Sequence, residues 1–172
     1  LASGQEPPKA VCSTGQPMLF STTAQHFLAT PVLLEEVFGP ASLLIACKSG
    51  EEIVAVAEHI DGQLTATLQL AKENKEDTEL ARRLLPVLER KAGRILVNGF
   101  PTGVEVSYAM VHGGPSPSTS DSRVTSVGAM AIERFLRPIC YQDFPAELLP
   151  EALREENPLH VWRLIDGKLQ QP

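Results

Sequence analysis

From Ala41 to Asn98 the apolar and polar positions fall into a strand, helix, strand, helix, strand succession. Ser42 to Cys47 is a short apolar run of strand length. Ser49-Gly50-Glu51-Glu52 has the form of a capping box, in which the Ser hydroxyl and a Glu carboxylate satisfy the free N–H groups of a helix start. Ile53, Val56, Ala57 and Ile60 then recur at helical spacing, and Gly62 suits a left-handed residue ending that helix. Leu64 to Leu70 alternates apolar and polar positions, which predicts a strand with one face more buried than the other. Leu80, Leu84, Val87 and Leu88 form one stripe of a second helix, from about Thr78 to Ala92, with Pro86 as a predicted kink and Gly93 as its stop. Arg94 to Asn98 is the third strand.

Two consecutive strand-helix-strand units predict an α/β domain with a parallel βαβαβ core and right-handed crossovers. Ligands in such sheets collect at the carboxyl ends of strands. Gly99 to Gly103 and His112 to Ser118 are expected there as loops. Beyond them, Val124, Val127, Ala131 and Phe135 predict another helix, followed by an extended piece from Pro138 to Phe144. In the tail, Pro145-Leu149 and Glu151-Arg154 suggest a short helix interrupted by Pro150. Asp166-Gly167 is a hairpin-type turn between Val161-Ile165 and Lys168-Leu169, and Trp162 is expected to be buried against a neighbouring subunit or the body of the domain.

With 172 residues, 43% hydrophobic and 21% charged, the chain is long enough to enclose one sizeable core. A formal charge of −6 argues against a nucleic-acid partner, which needs clustered Lys and Arg. The densest basic stretch, Arg82 to Arg94, is interleaved with Glu89 and reads as a solvated helix face. No apolar run of membrane-spanning length and no export signal at the first residues are recognised, so no membrane partner is expected. Cys12, Cys47 and Cys140 are odd in number and widely spaced, which indicates neither a disulfide framework nor a metal site and fits a reducing, cytoplasmic setting. Cys47 lies in an apolar run that disfavours a thiolate and is expected to pack in the core. The Pro/Ser/Thr stretch Pro115 to Ser120 lacks the Lys-containing spacing of a phosphate loop and reads as structural. No GxSxG elbow is present, which weakens a hydrolase reading.

The motif Leu34-Glu35-Glu36-Val37-Phe38-Gly39-Pro40 resembles the EE(I/V)FGP element of the aldehyde dehydrogenase superfamily. The likeness is strengthened by order: the motif, the five elements above, Arg94-Ile95-Leu96-Val97-Asn98-Gly99-Phe100-Pro101-Thr102-Gly103-Val104, then a glycine-rich loop. Met110-Val111-His112-Gly113-Gly114-Pro115, Thr125-Ser126-Val127-Gly128 and Arg134-Phe135-Leu136-Arg137-Pro138 are similar to one branch, that of α-ketoglutaric semialdehyde dehydrogenases and NADP-dependent fatty aldehyde dehydrogenases. In such enzymes a cysteine attacks the aldehyde, hydride passes to a nicotinamide cofactor, NADP or NAD, and a glutamate-activated water releases the acid.

The resemblance implies that Glu36 holds the hydroxyls of the nicotinamide ribose and that Phe38 packs near the same end of the cofactor, besides contributing to the core. It implies a place for His112 near the catalytic cysteine, as a base or a polarising group. Phe100, Pro101, Thr102, Gly103 and Val104 correspond to part of the substrate wall. The family's nucleophile, base and dinucleotide-binding domain all stand upstream of the motif, so Cys12 is not that nucleophile and the chain is expected to be an inactive C-terminal part that does not hold the cofactor by itself. On this basis residues 1–136 are the C-terminal portion of a catalytic domain. Residues 137–172 are an oligomerisation strand, 137–144, and a tail, so a homo-oligomer is expected. The preferred substrate of the full-length enzyme is α-ketoglutaric semialdehyde, with a fatty aldehyde as the alternative. A non-catalytic assembly module is the rival from another class.

Overall fold

In a computed structural model, the described residues are 15–172 and the backbone of Ala2–Ser3. Cys12, with the expectation attached to it, lies outside the described residues, as do most of the first residues read for an export signal. The chain forms two compact units, Leu1–Phe135 and Leu136–Pro172.

The first unit runs β1 (Ala2–Ser3), β2 (Met18–Thr23), α1 (Ala24–Ala29), a 3-10 turn (Pro31–Leu34), β3 (Ala41–Ala46), α2 (Gly50–His59), β4 (Gln63–Leu68), α3 (Lys75–Lys91), β5 (Ala92–Val97) and a 3-10 helix (Ala129–Phe135). The three predicted strands and two predicted helices are all present. Ser49 caps α2, its Oγ accepting from the Glu52 N–H at 3.4 Å, and Glu52 reaches back to accept from the Lys48 N–H at 2.6 Å. Asn74 caps α3 by accepting from the N–H groups of Glu76 and Asp77. The basic stretch on α3 is solvated, as expected, and paired: Arg82 with Glu79, Arg83 with Glu51, Arg90 with Glu58.

The strands are parallel but do not form one sheet. β3 pairs with β2, in register from Met18–Ala41 to Thr23–Ala46, and β4 pairs with β5. No Cα of β3 comes within 8 Å of one in β4, whereas adjacent strands lie about 4.8 Å apart. The cause is visible in α2, whose two buried residues serve different cores. Val56 packs with Ala24 and Phe27 of α1 over β3, and Ala57 packs with Leu84 and Val87 of α3 over β4. Each strand follows its own helix pair, so β3 and β4 each keep one edge without a backbone partner among the described residues.

Several local expectations change. α2 ends at His59 with Ile60 extended, and α3 passes directly into β5 at Ala92, so neither Gly62 nor Gly93 is a left-handed helix stop. Their bareness serves close approach instead: a Cβ on Gly62 would run into the carbonyls of Pro115 and Ser116, and one on Gly93 into Gly113. β4 is half-buried on both faces over Thr65–Leu68 rather than alternating. Residues 124–128 are not helical, and only the 3-10 helix Ala129–Phe135 follows, with Phe135 exposed. Phe38 is 99% exposed and contributes nothing to the core of this chain.

The second unit contains 3-10 turns at Ala146–Leu148 and Glu151–Leu153, either side of Pro150, and a hairpin of β6 (Arg163–Ile165) and β7 (Lys168–Gln170). The hairpin turn is the expected one, with Asp166 and Gly167 both at positive φ, 51° and 75°. Residues 137–144 are exposed and belong to no strand within the chain. Trp162 precedes β6 and is exposed, so it is not buried against the body of this chain.

Cys47 is half-buried against the α1–β3 core, and burial, then the Glu52 carboxylate, pushes its thiol above the usual value of 9.0. In a Cys12→Ser background a neutral alkylating reagent should label exposed Cys140 first, and Cys47 should gain reactivity only as pH rises past its raised value. Equal labelling rates at pH 8, read by mass spectrometry, would contradict this. Free edges on β3 and β4, with Leu44 and Val97 more than half exposed, predict self-association of the isolated chain. Light scattering at high concentration should register dimers or larger species, and a strict monomer would refute the expectation.

Candidate functional site

The segment after β5 is fixed by two polar side chains of that strand and its end. Asn98, at φ 52°, clamps Leu70 from both sides, its Oδ1 accepting from the N–H at 2.7 Å and its Nδ2 donating to the carbonyl at 3.1 Å. Arg94 donates to the carbonyls of Gly103 at 2.8 Å and Pro101 at 3.0 Å. The turn Phe100–Val104 is thereby tied down by its backbone while its side chains stay exposed, Phe100 at 82%. An aromatic held out by a fixed backbone is suited to form a wall for something placed against it.

His112 sits on a second anchored stretch. Its N–H donates to Thr125 Oγ1 at 2.8 Å, and its carbonyl accepts from the Ser126 N–H and hydroxyl at 3.1 and 2.8 Å. Thr125 itself is buried and donates onward to the Val127 carbonyl. With the main chain fixed on both sides, the imidazole is positioned, and its Nδ1 is shielded with no hydrogen-bond partner among the described residues. The ring lines a cavity of about 410 Å³ together with Leu64, Ser118, Asp121, Thr125 and Arg134. The Pro115–Ser120 stretch is structural, as expected: Ser118 Oγ donates to the Pro115 carbonyl and Thr119 Oγ1 to that of Gly114.

Glu36 lines an adjoining cavity of about 610 Å³ with Glu35, the Asp61–Thr65 stretch, Pro117 and Ser118. Leu64 and Ser118 border both cavities, so the acidic motif and the histidine loop, 76 positions apart in sequence, meet at β4. Glu36 is exposed and makes no hydrogen bond or ion pair among the described residues, which leaves both carboxylate oxygens able to accept from vicinal hydroxyls. Phe38 two residues on is a bare aromatic plate that lines neither cavity. A nucleotide sugar fits the donor and acceptor chemistry of Glu36, and a planar ring fits the unpacked face of Phe38.

One positional expectation is corrected. Phe100–Val104 follows the carboxyl end of β5, but Gly113–Ser116 returns to Gly62 and Gly93, at the amino ends of β4 and β5. Glu36 likewise stands before the amino end of β3. The two cavities lie on that side because the long excursion 98–112 carries the chain back across the sheet.

Charge in the first cavity is unevenly balanced. Asp121 is gripped by Arg123, at 2.9 Å from Nε and 2.8 Å from Nη2, and that hydrogen bonding holds its carboxyl down to about 2. Arg134 lies over the ring of Phe135 at 5.6 Å and has no hydrogen bond or ion pair among the described residues. Sequence reasoning assigned no role to Thr125, Arg94 or Arg134. For Arg94 the signal is a polar side chain inside an otherwise apolar or glycine-rich stretch.

No family model matches the chain. It is 64% identical over 152 residues to alpha-ketoglutaric semialdehyde dehydrogenase 2 of Azospirillum brasilense, covering 88% of this chain and 28% of that protein. It is 54% identical over 172 residues to alpha-ketoglutaric semialdehyde dehydrogenase of Acinetobacter baylyi, covering 99% of this chain and 32% of that protein. The chain thus spans about a third of the length of the curated relatives it matches. With identity of that order running through almost all of its residues, the chain belongs to the aldehyde dehydrogenase family.

Proposed function

We propose that this chain is the C-terminal part of an NAD(P)-dependent aldehyde dehydrogenase which, when complete, oxidises the semialdehyde of a small keto acid to the carboxylate. The observation that carries this is the meeting of the unpartnered Glu36 carboxylate and the positioned His112 at adjoining cavities. The relatives' names supply the substrate class. NADP is preferred over NAD, and the nucleotide, when bound, supplies the hydride acceptor.

In this reading Glu36 accepts hydrogen bonds from the ribose hydroxyls, and Phe38 limits where the ring beside that sugar can lie. His112 polarises the reacting thiol of the upstream segment or holds its proton at an imidazole nitrogen. The backbone-pinned turn Phe100–Val104 forms part of the aldehyde's wall. Residues 1–136 serve the catalytic domain, and 137–144, exposed and unpaired within the chain, add an edge strand to a second copy. The upstream part of the full-length protein covers the open edges of β3 and β4 and brings the nucleophile.

In the full-length enzyme Glu36→Gln is expected to impair turnover by about 10- to 100-fold, the range for losing charge-assisted hydrogen bonds of about 1.5–3 kcal/mol. Unchanged turnover at saturating nucleotide removes the role given to Glu36. A spectrophotometric screen of the full-length protein against α-ketoglutaric semialdehyde and long-chain aldehydes, with both nucleotides, tests the substrate class. Preference for the long-chain aldehyde favours the fatty aldehyde alternative, and no oxidation of any aldehyde favours an assembly module.

A further inference from the structure

The turn after β5 has little of its own to hold its shape. Residues 99–106 make no backbone–backbone hydrogen bond among the described residues, and Phe100–Val104 is exposed throughout. Packing does not compensate, since a Cβ built on Gly103 would meet nothing within 4 Å. Gln69 holds the near end, its Nε2 donating to the Gly99 carbonyl at 3.4 Å. Beyond Gly99, the only hydrogen bonds that reach the turn among the described residues are the two from Arg94, to Pro101 at 3.0 Å and to Gly103 at 2.8 Å.

Arg94 is suited to that task by where it is rooted. Its Cα pairs with Thr65 of β4 inside the parallel ladder, so the base of the side chain is fixed. The guanidinium spends two nitrogens, Nη1 and Nη2, on two carbonyls two residues apart, and Nη1 also lies 3.6 Å from Met110 Sδ. One rigid plane thereby sets the spacing of the two carbonyls, whereas a lysine presents a single nitrogen on a flexible stem. The charge has no carboxylate partner among the described residues, and Nε is shielded with no acceptor. A half-buried cation with neutral acceptors alone and one unmet donor costs stability that an apolar residue at this place in β5 would not. What the side chain contributes is the shape of the turn.

We propose that Arg94 is a positioning residue for aldehyde binding, its guanidinium holding the turn Phe100–Val104 in the form that receives the aldehyde. The inference rests on the reading of that turn as part of the substrate wall and deepens it, because it names what keeps the wall in place. Phe100 is 82% exposed, so no core packing of its own ring fixes it, and its place follows from the backbone on either side. A loop already ordered before its ligand arrives loses less freedom on binding, and affinity rises accordingly. Arg94 acts through the turn and touches no reacting atom, so its loss is felt by the aldehyde and not by the nucleotide.

The test uses the full-length enzyme and the variant Arg94→Met, which keeps the length of the side chain and removes its donors. Aldehyde KM is expected to rise about 10-fold, with nucleotide KM changing less than about 2-fold and kcat changing less than aldehyde KM, and Arg94→Lys is expected to fall between the two proteins. Thermolysin, which cleaves before apolar residues, should cut the Gly103–Val104 bond faster in Arg94→Met than in the wild type, read by mass spectrometry of the fragments. An unchanged cleavage rate overturns the clamp. Faster cleavage with unchanged aldehyde KM, a fall in kcat alone, or equal rises in both KM values overturns the positioning role. Should Arg94→Met fail to fold by circular dichroism, Arg94→Lys decides, with a rise in aldehyde KM of about 3-fold expected and no rise overturning the proposal. A wild type that oxidises other aldehydes but not the semialdehyde defeats the substrate reading instead, and the KM comparison on those aldehydes still judges Arg94. If it oxidises no aldehyde, the functional reading fails and takes the positioning role with it, while the cleavage rates still judge the clamp.

Discussion

The close approach of the 113–116 backbone to Gly62 and Gly93 is the constraint on which the candidate site depends. A Cβ at either glycine would collide with main-chain carbonyl atoms, which cannot swing aside as a flexible side chain can. Because both positions are bare, the loop lies directly on the turn before β4 and the start of β5. His112 and Ser118, at either end of that contact, are then delivered to the Glu36 side of β4. Thr125 and Ser126 complete the placement by bonding the His112 main chain from the opposite direction. Two sequence-distant motifs become neighbours through van der Waals exclusion and a few backbone hydrogen bonds, with no ion pair between them.

Where the sequence was informative, the cause was local. Ser49 with Glu52, the Leu80–Leu84–Val87–Leu88 stripe and Asp166-Gly167 each specify their structure within a few residues, and each is found as expected. β2 and α1 went unread although Thr23 is a helix cap, its side chain accepting from the His26 N–H, because elements of only six residues give little periodicity. The division of the sheet was not legible at all. Which strand pairs with which is decided by helix packing, and nothing within α2 announces that Val56 and Ala57, adjacent in sequence, face different cores.

The candidate site was drawn from motif order and not from position. Glu36, His112 and Phe100–Val104 came from resemblance, whereas their common rule, that ligands gather at carboxyl ends, holds here only for the last of them. Glycines read as helix stops were in fact contact points, a distinction that needs the partner backbone to be seen. The arginines illustrate the same limit. Composition counts them alike, but an ion pair such as Arg90–Glu58 and an unengaged guanidinium such as Arg134 differ only in three-dimensional surroundings.

The chain positions the candidate site residues better than it encloses them. Its buried apolar residues are mostly small or medium, Ala24, Ala57, Ala81, Ala92, Val56 and Val87 among them, and no large side chain among the described residues is fully buried. β3 is largely apolar on both faces, the pattern of a strand covered on both sides, yet Leu44 on one of those faces is 60% exposed. Exclusion of water strengthens every charge interaction within a site. Here Glu36 is exposed and both cavities open to solvent, so the geometry is set by this segment while the dry, low-dielectric surroundings must come from protein packed over it. A family member about three times as long has the chain to supply them. Preorganisation of the side chains and closure of the site are thus separable tasks, and local hydrogen bonds suffice only for the first.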